Sequence, residues 1–116
     1  MFRRDPTLRR IVEVFRAAGA QTIVLFGSRA RGDATPASDY DVVVVMRRCR
    51  RNYVDRLLDL GPVVRRVGRP MNLIVYTPAE FRRVLRDSVF GDILKADGII
   101  LYEGDGSASL VSDGRR

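Results

Sequence analysis

The chain has 116 residues, a formal net charge of +7, 46% apolar residues, one cysteine and no histidine. This length and apolar fraction describe a single small globular domain and exclude a disordered chain. One cysteine, Cys49, excludes an internal disulfide; the lack of histidine excludes imidazole chemistry; and no apolar run approaches the ~20 residues of a membrane span.

Almost all of the positive charge is arginine, with Lys95 the sole lysine. The planar guanidinium suits phosphate and carboxylate recognition. The arginines are scattered in doublets, however, which is the pattern of solvated helix faces rather than of one nucleic-acid stripe. With no signal-peptide pattern at the N-terminus, a cytoplasmic protein is expected.

In chain order, Asp5 followed by Pro6 reads as a helix N-cap and first helical position, with Leu8, Ile11, Val12 and Phe15 as the apolar stripe and Gly19 as the stop. Gln21–Phe26 is a short β-branched strand that delivers the chain to Gly27-Ser28. Ser28–Arg31 begins a short helix, Gly32–Ser38 is a loop, and Asp39–Met46 is a second strand. Arg51–Leu60 is predicted helical with Val54, Leu57 and Leu58 inward, ending at Gly61-Pro62. Met71–Tyr76 is a third strand. Thr77-Pro78-Ala79-Glu80 is a capping box that opens a helix carrying Phe81, Val84 and Leu85. A further helical piece spans Val89–Lys95, and Ile99–Tyr102 closes the chain as a short strand. This order predicts an α/β (α+β) fold, a small mixed β-sheet of about four strands with helices packed on it. One domain over residues 1–105 is expected, with residues 106–116 a disordered tail.

The chemistry lies between Phe26 and Val45. Strand alternation turns Asp39 and Asp41 to one face, where two carboxylates repel unless a cation joins them. The bland alternative is a pair that caps the preceding loop. Just upstream, the Gly27-Ser28 turn offers backbone N–H groups and a hydroxyl to anionic oxygens. A metal site and a phosphate cradle on neighbouring segments are the equipment of phosphoryl or nucleotidyl transfer.

Gly27-Ser28, ten intervening residues, then Asp39-Tyr40-Asp41 resembles the signature of the DNA polymerase β-like nucleotidyltransferases. In length the chain is similar to their smallest members, the minimal nucleotidyltransferase domains, over residues 5 to 104. The resemblance implies the nucleotidyltransferase fold. It also implies that Gly27 and Ser28 contact the triphosphate and that Asp39 and Asp41 hold Mg²⁺, with two ions once a nucleotide is bound. Arg29 and Arg31 are close enough in sequence to touch phosphate, an ion pair with Asp33 being the alternative. Catalytic relatives carry a third acid on the later strand, and this chain has Asn72 at that place. Asparagine keeps an acceptor oxygen but loses charge and basicity. General-base assistance is typically worth about 10²–10⁴-fold, so turnover is at stake.

Two functions follow from the resemblance. One is transfer of a nucleoside monophosphate, AMP from ATP, to a hydroxyl of a macromolecule. Relatives of this kind act beside HEPN-domain toxins, and a chain lacking a recognition domain needs such a partner to present the acceptor. The other is a catalytically weak or inactive nucleotide-binding antitoxin that neutralises its partner by binding. A basic nucleic-acid-binding module lacks an aromatic stacking platform here. Exposed edges of so small a sheet leave a homodimer open.

Overall fold

A computed structural model describes residues 5–104; the tail expected from Gly106 lies outside them. The elements are α1 (Pro6–Ala17), β1 (Ala20–Phe26), α2 (Ser28–Arg31), β2 (Tyr40–Met46), α3 (Tyr53–Val67), β3 (Met71–Tyr76), α4 (Pro78–Asp87), α5 (Val89–Asp97) and β4 (Ile99–Glu103). The four strands form one sheet in the order β3-β2-β1-β4. β1 pairs antiparallel with both β2 and β4, whereas β2 and β3 run parallel. The expected mixed sheet with helices packed on it is what forms.

Caps set the helix starts. Asp5 accepts a hydrogen bond from the Thr7 N–H at 2.8 Å, and its other carboxylate oxygen accepts from the Tyr40 hydroxyl at 3.0 Å. The first helix is thereby fastened to the strand that carries Asp41 and that begins at Tyr40, one residue after the expected start at Asp39. The Thr77 hydroxyl and the Glu80 carboxylate form the reciprocal capping box of α4. Ser88 both ends α4 and caps α5 through the Gly91 N–H at 2.9 Å.

The central strand explains the apolar run. Val42, Val43, Val44 and Val45 are all fully buried, because β2 has a strand on each side and helices on both faces. On one face Val42 and Val44 meet Leu8, Ile11 and Phe15 of α1 and Leu60 and Val67 of α3. On the other, Val43 and Val45 meet Phe81 and Leu85 of α4 and Leu94 of α5. Burying each such side chain contributes about 1.5–3 kcal/mol.

The helix expected to stop at Gly61-Pro62 instead runs to Val67, and Gly68 caps it in the left-handed region at φ 78°. The reason is the parallel pairing. β2 ends at the far end of the sheet and β3 must begin beside Tyr40, so the connection must travel back the length of a seven-residue strand, about 23 Å. Fifteen helical residues cover about 22 Å, whereas a ten-residue helix covers only about 15 Å. Pro62 forgoes one bond, to the carbonyl of the exposed Leu58, where water can serve instead.

The longer helix also presents a different face. Val54 and Leu58, expected inward, are 62% and 67% exposed, and Leu57 is also exposed. The buried stripe is Arg56, Leu60 and Val67, with Val63 and Val64 partly buried beside it.

Arg56 is 5% exposed and joins three parts of the fold. Its guanidinium donates to the Arg50 and Val75 carbonyls and, at 2.7 and 3.1 Å, to the two oxygens of Glu80. The Tyr53 hydroxyl accepts from the Val75 N–H at 3.1 Å, so both backbone groups of Val75 on the outer edge of β3 are taken by α3. Among the described residues no helix is long and apolar enough to cross a membrane.

The hydrogen bonds from Arg56 hold the Glu80 carboxyl below its ordinary value, and its capping role adds to this. A depressed folded-state pKa gives stability that is present above the unfolded value and lost as pH falls through the folded one. Arg56→Met, which removes the donor from the Glu80 carboxylate and from two carbonyls, is expected to cost about 3 kcal/mol in urea denaturation at pH 7. Glu80→Gln keeps an acceptor and is expected to cost about 1 kcal/mol, a difference from wild type that shrinks as pH falls from the ordinary glutamate range through the depressed folded-state value.

Candidate active site

β1 ends at Phe26 opposite Asp41, and β3 brings Asn72 opposite Asp41 from the other side. Asp41 therefore lies between a glycine turn and an asparagine, on the sheet face covered further along by α4 and α5. Asp39, two residues earlier, reaches the same place. The Asn72 amide nitrogen is 2.7 Å from Asp41 Oδ1 and 3.4 Å from Asp39 Oδ2, which puts the three side chains in one cluster. Asp39 is exposed and Asp41 half-buried, so both can meet a ligand from solvent.

Gly27 adopts φ 74° and ψ −157°, a conformation that side chains resist. A Cβ at this position would collide with Asp41 Oδ2. The turn thus lies directly against one of the carboxylates, and only glycine permits that approach. Ser28 and Arg29 open α2; the N–H groups of Ala30 and Arg31 already donate to the Gly27 carbonyl, each at 3.0 Å, which leaves those of Ser28 and Arg29 at the open end of the turn.

The two arginines of this segment have different placements. Arg29 stacks 3.9 Å over the Tyr40 ring and donates to the carbonyls of Ser38 at 2.8 Å, Thr35 at 3.2 Å and Pro36 at 3.3 Å. Its guanidinium is built into the loop that leads to Asp39, rather than extended toward the turn. Arg69 reaches the same loop from the start of β3, donating to the Pro36 carbonyl at 3.2 Å. Arg31 is exposed and pairs with Asp33 at 3.4 Å. Tyr40 points to the opposite face and is buried, with its hydroxyl on Asp5.

The donor set fits a hard divalent cation: two carboxylates converge beside a turn, with solvent access for completing waters. Among the described residues no three His, Cys, Asp or Glu side chains gather into a metal cluster, so the protein offers two acidic ligands and an amide. Arg69, which holds the loop before Asp39, and Arg56, which ties α3 to the far end of β3 and to α4, are not evident from local sequence. Their partners lie up to 33 and 24 residues away.

The profile of the nucleotidyltransferase domain family matches residues 8–95. No curated protein matches the chain. Among solved structures, a toxin–antitoxin with AMP-PNP aligns with TM-score 0.60 at 20% identity, covering 84% of this chain and 74% of that one. A Sulfolobus solfataricus protein assigned as a nucleotidyltransferase aligns with TM-score 0.56 at 25% identity, covering 89% and 82%. The MntA–HpeT toxin–antitoxin, in a form with two aspartates replaced by glutamate, aligns with TM-score 0.56 at 17% identity, covering 84% and 74%. The two toxin–antitoxin likenesses speak for the fold alone. The family match extends over most of the sequence and agrees with the geometry built up from its residues: this chain belongs to the nucleotidyltransferase domain family.

Proposed function

We propose that the chain is a nucleotidyltransferase that moves AMP from ATP to a hydroxyl of a partner protein, the toxin of a HEPN-type toxin–antitoxin pair. The observation that carries the reading is the approach of the Gly27 turn to Asp41, which sets a phosphate cradle against a carboxylate pair. The toxin–antitoxin of the same fold with AMP-PNP makes an adenosine nucleotide the first choice. Encounter with ATP and with a toxin partner gives the protein a cytoplasmic location.

In this reading Gly27 admits the triphosphate, and the Ser28 hydroxyl and the N–H groups of Ser28 and Arg29 donate to its oxygens. Asp39 and Asp41 hold Mg²⁺, which when bound supplies charge neutralisation and polarises the phosphate. Arg29, with Arg69, fixes the loop that aims Asp39. The acceptor oxygen forms a bond to the α-phosphorus as the bond to the bridging oxygen breaks, and pyrophosphate leaves with that electron pair. The acceptor's proton passes to water, since neutral Asn72 has no basicity to take it.

A second reading is favoured by one observation. The Asn72 amide stands on Asp41 where catalytic relatives carry an acid. The chain would then bind nucleotide, turn over feebly, and neutralise its partner by occlusion. The double variant Asp39→Asn, Asp41→Asn separates the two. Loss of both modification and neutralisation supports the enzyme, whereas neutralisation without modification supports the binding module.

Calorimetric titration of the chain with ATP and with GTP, each with and without Mg²⁺, is expected to give metal-dependent binding that the double variant abolishes. Absence of binding to either nucleotide overturns the enzyme reading. Gly27→Ala is expected to weaken Mg²⁺–ATP binding by at least about tenfold, because the new methyl must displace Asp41 and the positive φ adds about 1 kcal/mol of strain.

A further inference from the structure

In-register parallel pairing puts Asp41 and Asn72 side by side on one face, at a separation fixed by the sheet. Both neighbours of the Asn72 side chain are carboxylates, which only accept, so the NH₂ end of the amide must face them. Its two hydrogens go to two different acids: Asp41 Oδ1 at 2.7 Å and Asp39 Oδ2 at 3.4 Å. The remaining Asp41 oxygen, Oδ2, lies against Gly27 on the phosphate side. The carboxylate pair is thus divided, with one oxygen of each acid engaged by Asn72 and Asp41 Oδ2 turned toward the turn.

We propose that the Asn72 amide stands in for one of the two cations of the two-metal arrangement, so that this site takes a single divalent ion with its nucleotide. The inference rests on the nucleotide-site reading above. A neutral amide donor satisfies two carboxylates without adding charge, and it leaves free the ligands nearest the phosphates. A second ion on the Asn72 side would have to displace both hydrogen bonds, and it would gain only a neutral carbonyl oxygen as its third protein ligand. An acid at the same position reverses the balance. It removes the donor and gathers three negative charges within hydrogen-bonding range, an arrangement that needs a second cation.

The test counts Mn²⁺ by electron paramagnetic resonance, titrating the whole chain in the presence of AMP-PNP. Wild type is expected to bind one ion per chain and Asn72→Asp two. Two ions in the wild type overturn the inference while leaving the nucleotide site standing; no bound ion overturns both. One ion in both proteins also overturns it, since Asn72 would then not set the count. A second readout needs no nucleotide. In EDTA, Asn72→Asp is expected to melt several degrees below wild type, with Mn²⁺ restoring the difference. Asn72→Ala, which removes the donor without adding charge, is expected to melt lower than wild type in EDTA and to keep the count at one. An Asn72→Ala melting point equal to or above that of wild type overturns the role assigned to the amide.

Discussion

The parallel pairing of β2 with β3 is the constraint on which most of the molecule depends. Antiparallel neighbours can be joined by a tight turn, but parallel ones require the chain to return along the full length of the strand. That return is α3, and its length follows from the strand it must retrace. Packing α3 on the sheet brings Tyr53 and Arg56 over the edge of β3, and Arg56 reaches the capping box of the next helix. The same register sets Asn72 beside Asp41. One pairing therefore accounts for the crossover, for a buried guanidinium and for the third member of the candidate site.

The site itself is assembled from elements of unequal rigidity. Asp41 belongs to a central strand with fully buried valines immediately behind it, so its backbone has little freedom. Asp39 follows a surface loop, and that loop is held by side chains rather than by strand pairing. Arg29 and Arg69 grip its carbonyls from two sides and both lie over the Tyr40 ring. The Tyr40 hydroxyl in turn is tied to the start of α1. The residue between the two aspartates thus organises the opposite face of the sheet while its neighbours meet solvent.

Much of this was legible from local sequence. The caps at Asp5-Pro6 and Thr77–Glu80 mark helix starts through short-range hydrogen bonds, and the β-branched runs mark β1, β2 and β3. Gly27-Ser28 and the spaced aspartates mark the segments that the fold brings together, the turn lying directly against Asp41. What failed was α3. Gly61-Pro62 looks like a stop because local propensity says so, while the length requirement comes from a pairing of residues 31 apart in the chain, such as Tyr40 with Met71. The inward face was misassigned for the same reason: the stripe of Leu60, Val63, Val64 and Val67 is visible only once the helix is allowed past Pro62. A buried arginine in a helix cannot be told from a solvated one when its partners are 19 and 24 residues distant. The hold of Arg29 on loop carbonyls six to nine residues on is likewise invisible in its position beside Ser28.

The covering of β3 by Tyr53 and Arg56 bears on how such a sheet can meet its own kind. A four-stranded sheet has two borders, and strand addition at both would let copies join without end. Here the N–H and C=O of Val75 are already satisfied from within the chain, so a strand arriving along β3 finds no partners there. Strand addition along β3 would have to displace the Arg56 guanidinium from the Val75 carbonyl and the Tyr53 hydroxyl from its N–H, so the ties that brace this edge within the chain also oppose its extension by a second copy.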